Sequence, residues 1–203
     1  MNEQPAVKRS WFTPVVLVLF VFSLMGNVAL YSTKIQNSQT FRMEAGERII
    51  QSAWDAREHA EALLASLERL EKGTSVTDRI GAKQDIGFAF EHAEGLSRLI
   101  KEALARHKGE HKEQKRTAET FIAEVEASLS LIGIHDSTLT AGETAYVAKM
   151  KGLYTEIASR LSSFPHDELS KENALRTENG EGWVDMAYGI LLLLNEPDKL
   201  TVN

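Results

Sequence analysis

The chain has no cysteine among its 203 residues. This excludes disulfide bonds, cysteine-ligated zinc, iron–sulfur clusters and thiol catalysis. Proline and glycine are few, at 4 and 13 residues, which excludes a low-complexity chain. The alternation of polar and apolar residues that is typical of strands is missing too. The net charge of −6 argues against a protein that holds nucleic acid by its overall charge.

The longest apolar run predicts a membrane span. Residues 12–30 hold no charged side chain, and Trp11 and Tyr31 bracket them, as is typical of aromatic residues at a membrane interface. A helix of about 20 apolar residues crosses the hydrocarbon layer. The run is longer than the apolar region of a cleaved signal peptide, and the best exit site has Asn27 where a small residue is needed. We therefore expect an uncleaved anchor at residues 11–31.

The distribution of cations around the anchor predicts its orientation. Lys8 and Arg9 directly precede the span, whereas the first cations after it, Lys34 and Arg42, lie further away. Because cations collect on the cytoplasmic side, we expect the N-terminus in the cytoplasm. The predicted organisation is a cytoplasmic tail at 1–10, a transmembrane anchor at 11–31 and an extracytoplasmic helical domain at 32–203.

The outer domain has the apolar periodicity of helices throughout. One seam of apolar residues at alternating steps of four and three runs from Ile49 to Leu70, and we expect its helix to continue down through residues 35–51 towards the membrane. Further seams predict helices at about 77–105, 118–132, 140–164 and 183–194. The expected fold is all-α: a single N-terminal transmembrane helix plus an antiparallel four-helix-type bundle with a short extra C-terminal helix. The alanine-rich seam is also suited to pairing with a second copy.

One motif has the spacing of a zinc-peptidase signature. His107 and His111 flank Glu110 in the pattern H-x-x-E-H, which requires both imidazoles on one helix face and the glutamate as a base. Several cations surround the motif, and Gly109 weakens a helix there. His107 and His111 are therefore weak metal candidates, and we expect neither a catalytic site nor a cofactor.

Two charged segments are candidate surfaces. Residues 106–116 hold five Lys or Arg and two Glu, and we expect a turn there, with contact to anionic lipid head groups as an alternative. Residues 167–198 hold eight acidic and two basic side chains. Trp183, Asp185 and Tyr188 lie among these acids and form a candidate partner-binding surface with aromatic anchors. The alternative is that Trp183 closes the helical bundle.

The C-terminal half resembles the extracytoplasmic helical region of the spore-germination membrane proteins of the YpeB family. The residues that carry this resemblance are Leu139, Thr140, Glu143, Leu153, Tyr154, Ile157, Leu161, Trp183, Asp185 and Met186, and residues 51–70 are similar in position. The resemblance implies a short cytoplasmic tail, one membrane helix and no catalytic residues. It also implies that the protein stabilises and localises a partner cell-wall lytic enzyme. Family members carry further C-terminal domains of the PepSY kind, which these 203 residues do not contain.

The sequence thus leads to three hypotheses. The first is a non-enzymatic single-pass membrane protein whose outer bundle binds or stabilises a partner protein or a second copy, with a place in spore formation or germination implied by the resemblance. The second is a membrane-anchored sensor that signals through a partner. The third, more remote, is a zinc hydrolase that uses His107, Glu110 and His111.

Overall fold

A computed structural model describes residues 11–201, and this part of the chain is helical and contains no strand. The prediction of an all-α protein is confirmed. The tail at 1–10, with Lys8 and Arg9, and residues 202–203 lie outside the described residues. The helices are α1 (Phe12–Lys72), α2 (Val76–Glu91), α3 (Ala93–Arg106), α4 (Ala118–Leu131), α5 (Ala141–Leu161), α6 (Lys171–Glu178) and α7 (Val184–Asn195).

The chain divides into two compact units, Met1–Arg42 and Met43–Asn203. The first contains an apolar stretch of α1 with a mean hydropathy of 2.2 whose side chains are all exposed. Its length and composition suffice to cross a membrane, and a signal sequence would share these properties. The second unit begins at Met43, and the side chains of residues 32–42 before it are exposed.

Helix α1 is continuous from Phe12 to Lys72, so the expectation that the seam helix extends down to the apolar segment is confirmed. The seam from Ile49 to Leu70 lies in the core of the second unit, with at most 3% of each side chain exposed. Other helices of the packed unit therefore cover this seam. Among them, α2 and α5 pack against this face, as the contacts of His59 with Ala89 and Tyr154 show.

The helix predicted at 77–105 is two helices, α2 and α3, that meet at His92. The backbone of His92 has φ −96° and ψ −2°, and its N–H turns back to the Ala89 carbonyl at 3.4 Å. Beyond the break, α3 approaches α1 so closely that a Cβ atom on Gly95 would lie 2.8 Å from the Ser52 carbonyl oxygen. The packing of α3 on α1 thus depends on a residue without a side chain.

The polar segment 166–182 forms more regular structure than its composition predicts. Ser170 caps α6 by accepting the N–H of Asn173 at 3.1 Å. The backbone of Ala174 in α6 lies directly against Gly46 of α1, where any Cβ atom would overlap it. The sequence of α6 is mostly polar, so its hydrophobicity gave little indication of a helix here. The close contact with Gly46 of α1 holds this helix in place.

Arg79 joins two loops at the end of the domain opposite Met43. This side chain is fully buried, and its guanidinium donates hydrogen bonds to main-chain carbonyls in the α1–α2 and α4–α5 connections. The acceptors are Gly133 at 3.2 Å, Gly73 at 3.4 Å, His135 at 2.6 Å and Ser137 at 2.9 Å. Gly133 adopts φ +64°, and a Cβ atom there would lie 2.8 Å from Arg79 Cδ, so both conformation and space favour glycine.

Aspartate at a core position should unfold the domain. Leu63 and Ile157 are completely buried, and a carboxylate at either place would lack a partner in an apolar environment. We expect L63D and I157D each to lower the free energy of unfolding by roughly 3 kcal/mol or more. The measurement is circular dichroism during urea unfolding of the full chain in detergent.

The matched controls are A65D and S159D, at exposed positions of the same two helices. They should change stability by less than about 0.5 kcal/mol. Unchanged melting of L63D or I157D would refute the core assignment.

Candidate functional site

The basic segment and the acidic C-terminal segment, which the sequence presents as separate surfaces, bind each other. Residues 107–117 connect α3 to α4 without helical structure and lie along α7. The Tyr188 hydroxyl accepts the N–H of Lys112 at 2.9 Å and donates to the Glu110 carbonyl at 3.3 Å. A segment with an excess of positive charge therefore rests on a helix of the acidic C-terminal segment.

Arg116 and Lys115 hold the far end of this connection. The Arg116 guanidinium donates to the Leu194 carbonyl at 3.3 Å, at the C-terminal end of α7, where a cation complements the helix dipole. Its backbone N–H donates to Asn195 Oδ1 at 2.9 Å. Lys115 pairs with Asp198 at 2.6 Å, and this hydrogen bond lowers the pKa of the Asp198 carboxyl. The turn that we expected at 106–116 is present, and hydrogen bonds attach it to α7.

The partner-binding candidates have different environments. Trp183 is fully buried and donates its indole N–H to the Thr177 carbonyl at 2.8 Å, so it closes the core and cannot reach a partner. Tyr188 is 7% exposed and stacks on the His107 ring, with 3.9 Å between the ring centroids. Asp185 is the exposed member, with 94% of its side chain accessible, and it accepts a hydrogen bond from His107 Nδ1 at 3.2 Å.

The H-x-x-E-H motif has a geometry unlike that of a zinc peptidase. His107, Glu110 and His111 lie in a connection without helix, whereas the peptidase motif places both imidazoles on one helix face. The two imidazole rings meet edge to face at 5.4 Å. No cluster of three or more potential metal ligands occurs among residues 11–201. The sequence-based metal candidates thus act as packing partners of Tyr188 in this structure.

A buried histidine lies at the meeting point of three helices. His59 of α1 is completely buried, and its Nδ1–H donates to the Ala89 carbonyl of α2 at 2.8 Å. Because a carbonyl only accepts, Nε2 is unprotonated and accepts the Tyr154 hydroxyl of α5 at 3.2 Å. Burial lowers the pKa of His59 to about 4, against the opposing effect of the bond to Ala89. This residue is neutral at physiological pH.

Sequence reasoning missed the role of His59, although a signal was present. His59 directly precedes the seam residue Ala60 and so lies beside an apolar helix face, where a polar side chain needs a partner. The partner is the Ala89 carbonyl, which lies three residues before the α2–α3 break at His92. The break leaves a carbonyl without its regular helical bond, and the imidazole satisfies it.

A second buried polar cluster surrounds Glu143 at the start of α5. Its carboxylate accepts the N–H of Gly133 at 2.7 Å, His135 Nε2–H at 2.9 Å and the N–H of Thr140 at 2.8 Å. Burial alone would raise the pKa of Glu143, but these hydrogen bonds lower it to about 2. Thr140 and Glu143 form a capping box, in which the side chain of each accepts the backbone N–H of the other. The same carboxylate also holds the loop that Arg79 binds from the other side.

The described surface contains an open groove of about 370 Å³ between α1 and α2. Phe88 is exposed beside it, and alanines of α1 line its floor. Arg69 and Asp85 form an ion pair across it, and His92 lies 3.7 Å from both Asp55 and Glu58 at one end. The groove has an apolar floor and a charged rim, which suits a peptide-like or amphipathic ligand better than a free ion.

Acid should destabilise the domain through His59. Its pKa is lowered in the folded state, so the unfolded chain binds the proton first and stability falls as the pH drops from about 6.5 towards 4. For one buried histidine this loss amounts to about 3 kcal/mol. We expect urea unfolding of the full chain in detergent to show this loss, and the H59L variant to lack it.

The other histidines contribute equally to both proteins, so the difference between the two pH profiles isolates His59. The pKa of Glu143 is lowered as well, but its contribution is lost only below pH 4.5, in a separate window. Parallel profiles for the natural chain and H59L between pH 7 and 4 would contradict the assignment.

Removal of the Tyr188 hydroxyl should release the basic connection. Y188F keeps the ring that stacks on His107 but loses both hydrogen bonds to the backbone of residues 110 and 112. We expect trypsin to cleave after Lys108 and Lys112 several-fold faster in Y188F than in the natural chain, because cleavage requires local opening. The control Y146F removes a hydroxyl from α5 and leaves these bonds in place. Equal cleavage rates in Y188F and Y146F would show that the bonds do not hold the connection.

Neither a family of known proteins, nor a curated protein, nor a solved structure is significantly similar to this chain.

Proposed function

We propose that this chain is a single-pass membrane protein whose helical domain, outside the cytoplasm, binds and stabilises a partner protein. The observation that carries the proposal is the continuity of α1 from Phe12 to Lys72. One part of this helix exposes mainly apolar side chains and no charged one, which water disfavours and a bilayer accommodates. Another part supplies the central seam of a packed domain. A single helix thus supplies both the proposed anchor and the central seam of the domain.

The proposed orientation has the N-terminus in the cytoplasm. Lys8 and Arg9 stand directly before the span, and the cations after it are more distant and fewer per residue. Trp11 and Tyr31 mark the two membrane interfaces. In this arrangement the packed unit from Met43 onwards lies outside the cytoplasm, and we propose that its helices form an antiparallel bundle.

Binding, and not catalysis, is the role that the buried polar groups support. His59, Arg79 and Glu143 are buried ionisable side chains that form hydrogen bonds with main-chain groups. Each of them joins separate segments of the chain, and so each has a structural task. We therefore propose a non-enzymatic protein that acts by contact.

Exposed apolar side chains mark where a partner would bind. Phe88 in α2 is 64% exposed beside the α1–α2 groove, and Ile134 in the α4–α5 connection is 69% exposed. Large apolar side chains at the surface are typical of protein contacts when a groove or a polar rim accompanies them. Asp185 remains an accessible acidic contact on α7.

The resemblance to the YpeB family suggests the class of the partner. It points to a cell-wall lytic enzyme that the membrane protein stabilises and localises during spore formation or germination. Several of the residues that carry the resemblance serve in the core or as a helix cap here: Thr140 and Glu143 form the cap, and Tyr154, Ile157 and Trp183 are buried, whereas Asp185 is exposed. They support a shared helical scaffold as the basis of this proposal.

A sensor is the second candidate, and the α1–α2 groove favours it. The groove lies along α1, the same helix that contains the apolar segment. A ligand that changed the packing of α2 on α1 would act on the element that enters the membrane. Such a sensor would signal through a membrane partner.

Topology and partner binding can be tested together in the cells that make the chain. A reporter enzyme that works only outside the cytoplasm, fused after residue 203, should be active. A photo-reactive amino acid at Phe88, Ile134 or Asp185 should give an ultraviolet-dependent adduct with an extracytoplasmic protein. The matched control is the exposed position Ser159 on α5, which should give none.

Different outcomes bear on different parts of the proposal. Activity of a cytoplasmic reporter at the same fusion point would reverse the orientation. Adducts that are equally abundant at Ser159 and at the three test positions, or absent from all of them, would contradict a specific partner surface. A change in crosslinking upon addition of a small molecule, without any protein adduct, would favour the sensor.

A further inference from the structure

The exposed part of α1 carries an uncharged face that contains a glycine, a leucine, two threonines and an asparagine. Gly26, Leu30, Thr33, Asn37 and Thr40 follow each other at steps of four, three, four and three residues, which places them along one side of a helix. All five are exposed. The face begins within the proposed membrane span and continues into the segment 32–42 that follows it.

The segment 32–42 is helical despite an unfavourable composition. Of its eleven residues, STKIQNSQTFR, five are Ser, Thr or Asn, which are weak helix formers. It contains no Asp or Glu, so the acid–base pairs that normally support a lone helix in water cannot form within it. A helix of this composition gains stability when another helix packs against it.

The two threonine side chains of the face already form hydrogen bonds within α1. The Thr33 hydroxyl donates to the Ala29 carbonyl at 3.0 Å, and the Thr40 hydroxyl donates to the Gln36 carbonyl at 3.0 Å. Because both protons are already bonded inside the helix, a second helix can cover these residues at little cost in lost hydrogen bonds. Gly26 permits close approach of two backbones within the membrane.

We propose that two copies of this chain pair in parallel through the face formed by Gly26, Leu30, Thr33, Asn37 and Thr40. The proposal rests on the membrane anchor of the proposed function, because copies inserted in one direction are parallel and in register. Each residue then meets its own counterpart. An amide is both donor and acceptor, so Asn37 can bond to Asn37 of the second copy, the arrangement by which a single asparagine specifies a parallel pair.

Charge limits the pairing to this stretch. The next residues at the same spacing are Glu44 and Glu47, and two copies would bring these carboxylates face to face. The seam at 49–70, which would otherwise be the natural place for self-association, is buried in the packed unit. The uncharged face therefore ends at Thr40, and the pair extends from the span through the segment 32–42.

The absence of cysteine from the chain allows a direct test. Single-cysteine variants T33C and T40C place a thiol on the face, and S32C and Q39C place one on the opposite side at almost the same height. Membranes that contain the full chain are oxidised with copper phenanthroline, and dimers are measured on non-reducing gels. We expect several-fold more disulfide-linked dimer from T33C and T40C than from S32C and Q39C.

Membrane association is measured in the same samples by extraction with carbonate. One outcome is that the full-length chain stays in the membrane but crosslinks equally, or not at all, at the four positions. This result would overturn the pairing and would still support the membrane anchor. Chain that is shortened or extracted overturns both proposals. A crosslinked product with the mass of a different protein overturns the homodimer, because it identifies another helix as the occupant of this face.

A second pair of variants tests the role of Asn37 without new disulfides. N37K places a cation on the face of each copy, whereas S38K places it beside the face. When two differently tagged copies are expressed together, N37K should reduce their co-isolation several-fold and S38K should leave it near the natural level. Equal effects of N37K and S38K would overturn the proposed face.

Discussion

The hydrogen bonds of His59 are the interaction on which the arrangement of the core depends. The imidazole joins α1 to the Ala89 carbonyl of α2 and to the Tyr154 hydroxyl of α5. An imidazole that is buried without partners would cost several kcal/mol, so the three helices must meet at this point for the core to close. The Ala89 carbonyl, next to the α2–α3 break, accepts the long bond from the His92 N–H and the shorter bond from the buried ring.

Polar contacts of the same kind hold the rest of the domain together. Arg79 fastens two connections through main-chain carbonyls, and Glu143 binds one of them from the opposite side. The connection 107–117 uses its backbone and its cations to lie along α7. In each case a loop is held by a side chain from a distant helix, so a rigid surface results although many residues lie outside helices. Such a surface suits a protein that acts by contact.

The continuity of α1 connects the fold to the proposed function. Its apolar part exposes mainly side chains that prefer lipid, and its later part is the buried seam of the packed unit. The segment 32–42 that follows the apolar part is rich in Ser, Thr and Asn and has no acid, yet it is helical. A second copy covering the uncharged face of this stretch would explain that combination, and it would place two domains side by side on one membrane.

Periodicity in the sequence determined the helical class, the seam at 49–70, the apolar segment and the cap at Thr140, because these depend on neighbours within one or two helix turns. Only the tertiary structure decided the break at His92, the burial of Trp183 and the binding of the basic connection to α7. Those features depend on pairs of residues far apart in the chain, such as His59 with Ala89 and Lys112 with Tyr188. Local pattern carries no information about which distant carbonyl or hydroxyl will lie within reach, since that is set by how the helices pack.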